Sequence, residues 1–240
     1  MLGQPLANFT AAADIWTGFA SQLEAFLAGL PAADARLTTW EGRPAPKNEG
    51  LTIPAQVNYV AKGANLHALG HKPTGALTVV TKYLGTAYLW DKVRVEGGAY
   101  GGFSRFDPFS GIYAFGSYRD PNLVATLDVY DAAPEFLRKG VSDSDVTRSI
   151  IGTIGDLDGY QLPDAKGFTA LVRILTGATD AYRQKRREEV LSTTAQDFAT
   201  AADLLDEVAR HGHVVVMGSE KALAKANSER NGFLDVTKVL

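Results

Sequence analysis

Cysteine is absent from the 240 residues, and histidine occurs only four times. The first absence removes disulfides, thiolate zinc ribbons, iron–sulfur clusters and thiol catalysis together. The second leaves His67, His71, His211 and His213, with carboxylates, as the whole stock for a metal site. No run approaches the roughly 18 apolar residues of a membrane span. Residues 1–8 lack a charged segment followed by a long apolar one, so no secretory leader is expected. A basic excess is missing too: 24 Lys+Arg stand against 27 Asp+Glu, a formal net charge of −3. That balance argues against a nucleic-acid binder. What is present, 45% hydrophobic and 21% charged residues, is the usage of a soluble globular chain. The length suits one large domain or two small ones.

Along the chain, Ile15, Phe19, Leu23, Phe26, Leu27 and Leu30 recur at helical spacing, and Gly29 and Pro31 punctuate the end of that first helix. Residues 40–50 hold Gly42, Pro44, Pro46 and Gly50 among charges and read as an extended surface loop, the best internal boundary. Residues 53–61 alternate Ala55, Val57 and Tyr59 with Gln56 and Asn58, the pattern of a half-buried strand. A helix over 75–91 places Leu77, Val80, Leu84 and Tyr88 on one face. Val79, Tyr83 and Trp90 lie off that stripe, so burial on more than one side is expected.

Two strands, 103–106 and 112–118, are expected to pair through the loop Asp107-Pro108-Phe109-Ser110-Gly111. Asp120-Pro121 reads as a helix start, and Pro134 must kink or restart that helix. Gly140 closes it, and Ser142 with Asp145 resembles a capping box for the next. Helices are expected over 164–176, 179–191 and 194–210, the second with a solvated charged face. A central strand at 213–217, a helix at 219–227 and a last strand at 235–239 complete the order. Strands early and late with helices between predict an α+β fold, helices layered on one face of a mostly antiparallel sheet. The expected division is residues 1–49, a helix and linker packing on the domain, and 50–240, the α/β domain.

His67 and His71 are four apart but enclose no carboxylate, and Gly70 and Pro73 disfavour a regular helix, so they are read as structural. His211 suits a helix C-terminus facing the dipole. No metal site is expected in this chain. The glycines 97, 98, 101 and 102 give neither G-x-G-x-x-G nor a P-loop ending, and no Gly-x-Ser-x-Gly elbow exists. They suit close backbone approach or relief of strain at a strand start.

Around them, Arg94 and Tyr100 flank a Gly-Gly turn. The guanidinium offers a fixed positive fork and the phenol a donor on a rigid ring. Together they suit holding a peptide carbonyl, or the oxyanion formed when it is attacked. The alternative is a surface ion pair of Arg94 with Glu96 or an acidic neighbour, and a core Tyr100.

The run VRVEGGAYGGFSRFDPFSGIYAFGSYRDPNLVATLDVYDAAPEFL resembles the C-terminal part of presequence proteases, a branch of the pitrilysin/insulinase superfamily of zinc metallopeptidases. IPAQVNYVAKGANL, HVVVMGSEKALAKAN and the ending GFLDVTKVL extend the resemblance over roughly residues 50–240. It implies four related α/β units in two halves around a closed chamber. The N-terminal catalytic half would carry zinc on His-x-x-Glu-His, a motif this chain lacks. The C-terminal half would supply no metal ligand but an Arg and a Tyr near the scissile bond, here Arg94 and Tyr100, with Gly97, Gly98 and Gly101 as substrate-binding backbone. The implied function is degradation of unstructured peptides, with this chain inactive alone, an excised domain or a natural non-catalytic subunit. The implied location is soluble: mitochondrial matrix or chloroplast stroma in a eukaryote, cytoplasm in a bacterium. A stand-alone peptide-binding module, working by strand addition beside the glycines, is the competing class.

Overall fold

The computed structural model describes residues 6–31, 42 and 47–239. They form two compact units, the described part of Met1–Pro44 with Gly159–Tyr182, and the described part of Ala45–Asp158 with Arg183–Leu240. The chain runs α1 (Ala13–Ala28), β1 (Asn48–Thr52), β2 (Asn58–Asn65), α2 (Ala76–Tyr83), β3 (Gly101–Phe106), β4 (Ile112–Asp120), α3 (Val124–Asp131) and α4 (Ala133–Arg138). It continues through α5 (Asp143–Leu157), α6 (Pro163–Thr176), α7 (Asp180–Leu191), α8 (Ala195–His211), β5 (His213–Gly218), α9 (Glu220–Glu229) and β6 (Asp235–Lys238). Among the described residues no helix is long and apolar enough to cross a membrane.

In the smaller unit, Phe9 stacks on Phe19 with ring centroids 4.6 Å apart, and Asn8 donates to the Gly167 carbonyl at 2.7 Å. Neither α1 nor α6 buries a residue fully. Leu6, Phe9, Trp16, Leu23, Leu171 and Ile174 line an apolar cavity between them.

The larger unit is built on one six-stranded sheet, in the order β3-β4-β2-β5-β1-β6. β3, β4, β2 and β5 pair antiparallel, whereas β1 lies parallel to both β5 and β6. The fold is α+β on a mostly antiparallel sheet, as expected. One face carries Val60, Ala64, Tyr113, Phe115, Val214 and Val216, all buried. Helices α2, α3, α8 and α9 pack on the strands of this sheet. On the opposite face Val215 and Met217 remain exposed.

Aromatic rings fill the core between layers. Phe136 stacks on Tyr88 at 4.6 Å and Phe115 on Tyr130 at 5.1 Å. The Tyr88 hydroxyl donates to the Val129 carbonyl at 2.8 Å, and burial pushes its pKa up to about 12. It therefore stays a donor throughout the physiological range.

Four local expectations change. Asn48–Gly50 is strand rather than loop, while residues 40, 41 and 43–46 lie outside the described set. β2 begins at Asn58, and its buried side is Asn58, Val60, Lys62 and Ala64, the phase opposite to the apolar alternation of 55–59. The helix after β4 starts at Val124. Asp120 instead ends β4 fully buried, accepting from the Asn122 amide at 2.9 Å and the Thr126 hydroxyl at 2.7 Å. Finally, α7 is not wholly solvated, because Glu189 accepts the Gly75 amide at 2.7 Å. Pro134 does restart the chain, as α4, and Ser142 accepts the Asp145 amide at the start of α5.

The phase of β2 has an ionic cause. Lys62 is buried and reaches Asp131 at 2.5 Å and the Ala209 carbonyl at 2.7 Å. Its aliphatic stem packs among apolar neighbours, and the two partners satisfy its charged tip. Asp131→Ala is expected to destabilise the chain by about 2–4 kcal/mol in urea titrations, by stranding that cation. Lys62→Met, which removes the charge but keeps the stem, is expected to cost less. Equal costs would show that the pair does not hold this side of β2.

Candidate functional site: an arginine–aromatic cluster beside the glycine turn

After Tyr83 the helix does not stop at residue 91. It widens into two π turns, Leu84–Tyr88 and Trp90–Glu96. Such turns are frequent at functional sites. This one buries Val93 and leaves Trp90 and Arg94 outside. The chain then reverses sharply. The Gly98 amide donates to the Arg94 carbonyl at 3.0 Å and the Ala99 amide to the Val93 carbonyl at 3.1 Å. Asn122 clamps the turn by donating to the Gly97 carbonyl at 2.6 Å.

The glycines differ in what they allow. A Cβ at Gly97 would lie 2.6 Å from the Val93 carbonyl oxygen, and one at Gly102 would lie 2.8 Å from Val93 Cβ. Gly98 has φ of +77°, a conformation that favours glycine. Gly101 faces open space. Three of the four thus serve the backbone path, and Gly101 alone leaves room above it.

That path brings Arg94 and Tyr100 together. The Arg94 Cζ lies 4.3 Å from the Trp90 ring centroid and 5.7 Å from that of Tyr100, both cation–π distances. Tyr100 is 65% exposed, so it is not a core residue. Glu96 pairs with Lys92 at 2.7 Å, not with Arg94, which has no carboxylate partner among the described residues. Both parts of the alternative reading are therefore absent. The cluster continues through Tyr118, edge-on to Tyr100 at 5.8 Å and to Tyr59 at 5.4 Å. Arg119 lies over the Tyr118 ring at 5.6 Å.

Trp90, expected with Val79 and Tyr83 to mark a second buried side of the helix, is instead exposed here, and Tyr118 and Arg119 are not among the site residues expected from the sequence. Trp90 and Arg94 stand four apart, a spacing that pairs side chains on a helix, but only if the helix is carried past Asp91. Among the described residues no group of three or more His, Asp or Glu could hold a metal ion. His67 packs against Gly111, and His211 sits in the last turn of α8, 3.6 Å from Glu207. The residues present do not fit a zinc site. An exposed guanidinium within cation–π distance of two aromatic rings, one of them a phenol, can instead receive a carbonyl or a carboxylate.

The family model described as PreP C-terminal domain matches residues 48–220. The chain belongs to the presequence-protease C-terminal domain family. The chain is 45% identical to Presequence protease 1, chloroplastic/mitochondrial, of Arabidopsis thaliana, over 98% of its own length and 22% of that protein's. Protein HypA of Clostridium perfringens is 37% identical over 80% of the chain and 20% of its own length. Among solved structures, the peptidase M16 inactive domain from Pseudomonas fluorescens superposes with a TM-score of 0.59 at 16% identity. That match covers 87% of this chain and 51% of the other, and is a likeness of fold. The chain spans about a fifth of the length of the curated relatives it matches.

The close approach of Val93 to the turn gives a direct test of the glycine roles. Gly97→Ala is expected to cost about 1–3 kcal/mol in chemical denaturation, the usual penalty of overpacking. Gly101→Ala, with nothing to meet, is expected to change stability by less than about 1 kcal/mol. Equal penalties would contradict the contact geometry.

Proposed function

We propose that this chain is the C-terminal, non-zinc-binding domain of a zinc metallopeptidase that degrades unstructured peptides. In this reading it pairs with an N-terminal catalytic half, in the same polypeptide or as a partner chain, and that half holds the zinc. Family membership supports the reading, as does the small share of the relatives' length that the chain spans. Mitochondrion and chloroplast appear in the relatives' names, and we propose those compartments for a eukaryotic source and the cytoplasm for a bacterial one.

One observation carries the proposal: Arg94 is exposed within cation–π distance of Trp90 and Tyr100 and has no carboxylate partner among the described residues. Cation–π contact with two rings favours this placement of the guanidinium, and its exposure leaves N–H groups for a ligand. The Tyr100 phenol adds a second donor. Both donors are set before a substrate arrives, and negative charge gathering on a peptide carbonyl oxygen is what such donors stabilise. Gly101, open above its backbone, leaves space for an extended peptide to pass, with Gly97 and Gly98 shaping the turn beneath.

A second reading rests on a different feature. Among the described residues β3 pairs only with β4, which leaves its other edge for strand addition by a peptide. Main-chain pairing there would not need Arg94 or Tyr100.

The purified chain is expected to retain no zinc and to cleave no peptide. At millimolar peptide it should bind weakly, and Arg94→Ala or Tyr100→Phe should weaken that binding. Binding indifferent to both substitutions would favour strand addition. In the assembled peptidase, Tyr100→Phe should lower kcat by roughly 100-fold with a smaller change in KM, the mark of a transition-state contact. An unchanged kcat would overturn that role.

A further inference from the structure

Strand β4 alternates from Ile112 to Phe115, keeps Gly116 buried beneath the Phe103 ring and Ser117 buried beside it, and ends with Tyr118 and Arg119 both exposed and Asp120 buried. The pairing explains the break. Asn58 lies opposite Asp120 and Val60 opposite Ser117, so the single residue Tyr59 faces both Tyr118 and Arg119. This is a β-bulge, a device that re-aims a side chain and often sits next to an active site. Without it, strict alternation would send Arg119 toward the packed face that Ser117 shares.

The bulge holds Arg119 at φ of +50°. Asn231, at φ of +52°, is the other non-glycine residue with positive φ among those described. Asparagine tolerates that region, whereas arginine enters it at a cost. Neighbouring groups enforce the geometry. The Tyr100 amide donates to the Tyr118 carbonyl at 3.1 Å and reaches the Arg119 carbonyl at 3.4 Å. The adjacent Asp120 carboxylate is buried and accepts from Asn122 and Thr126, and it forms no ion pair with Arg119.

Several other arginines meet carboxylates: Arg138 with Asp203 and Asp206, Arg187 with Asp158, Arg230 with Asp128. Arg94 and Arg119 have rings instead, and those rings touch each other through Tyr100 and Tyr118.

We propose that Arg119 is a second ligand-binding guanidinium of this site and selects peptides that bear a carboxylate, from an acidic side chain or the C-terminus. The proposal rests on the reading that Arg94 and Tyr100 hold the peptide. Arg94 would take a carbonyl, and Arg119, displaced along the same aromatic row, would take the charged group.

The test uses the whole 240-residue chain and a short unstructured peptide in three forms. The first has one Glu and a free C-terminus, the second Gln for Glu, and the third an amidated C-terminus. Binding is read by NMR titration at low salt. One of the two neutralised forms should bind roughly fivefold more weakly than the first, and which one identifies the carboxylate source. The difference should shrink as salt is raised. Arg119→Gln should abolish the difference, and Arg119→Lys should restore part of it. Equal binding of all three forms, with Arg94→Ala still weakening each, would overturn the proposal and leave the peptide-holding role of Arg94 standing. No binding of any form, or binding indifferent to Arg94→Ala, would overturn both. Independently, Arg119→Gly should raise the melting temperature by about 1–4 °C, because glycine accepts φ of +50° without strain. An unchanged or lowered value would show that Arg119 is retained for the fold and would overturn the proposal.

Discussion

Val93 sits under the glycine turn with its carbonyl oxygen and side chain where the side chains of Gly97 and Gly102 would otherwise be. This contact between a π turn and the start of an edge strand sets the position of everything exposed around it. Because Val93 faces inward, its neighbour Arg94 faces outward. Because the chain can double back only through glycines, Tyr100 returns within cation–π distance of Arg94 six residues later. A wider turn would leave the same two residues apart, and the cluster would have no fixed geometry. The pairing of Tyr100 with the bulged end of β4 then ties the turn to the sheet.

Much of the larger unit was legible because local signals agreed with tertiary roles. Helices α5 and α8 keep helical spacing and have recognisable boundaries, among them Ser142 before α5 and Thr194 before α8. The hairpin loop carries its own chemistry. Asp107 accepts from the Ser110 hydroxyl, which holds its carboxyl below the usual range, and Gly111 supplies a positive φ. The apolar run of β5 sits centrally between β2 and β1. In each case the residues that decide the structure are near in sequence.

What escaped depends on distant partners. β1 is five residues of mixed polarity, NEGLT, and becomes a strand only because β5 and β6 flank it. Asn58 and Lys62 look like the solvated side of β2. They are buried because Asp120, Asn122, Asp131 and the Ala209 carbonyl receive them from other elements. For the candidate site, the Arg94–Tyr100 pair could be picked out by residue type and by family resemblance. Its aromatic seat could not. Trp90 joins it through a helix that runs on as π turns, and Tyr118 with Arg119 through a bulge. Neither irregularity leaves a periodic trace in the sequence.

The sheet order also bears on how the molecule comes into being. β1 slots between two strands that are synthesised roughly 160 and 180 residues after it. Until they appear, that segment has exposed amide and carbonyl groups on both sides and no lasting partner. The β2–β4–β3 portion and its helices can collapse first, through contacts that are closer along the chain. Closure of the β5–β1–β6 portion is then a late, long-range event, of the sort that slows folding and lengthens exposure to aggregation. The half of the sheet that carries the arginine–aromatic cluster is thus the half the chain can build early.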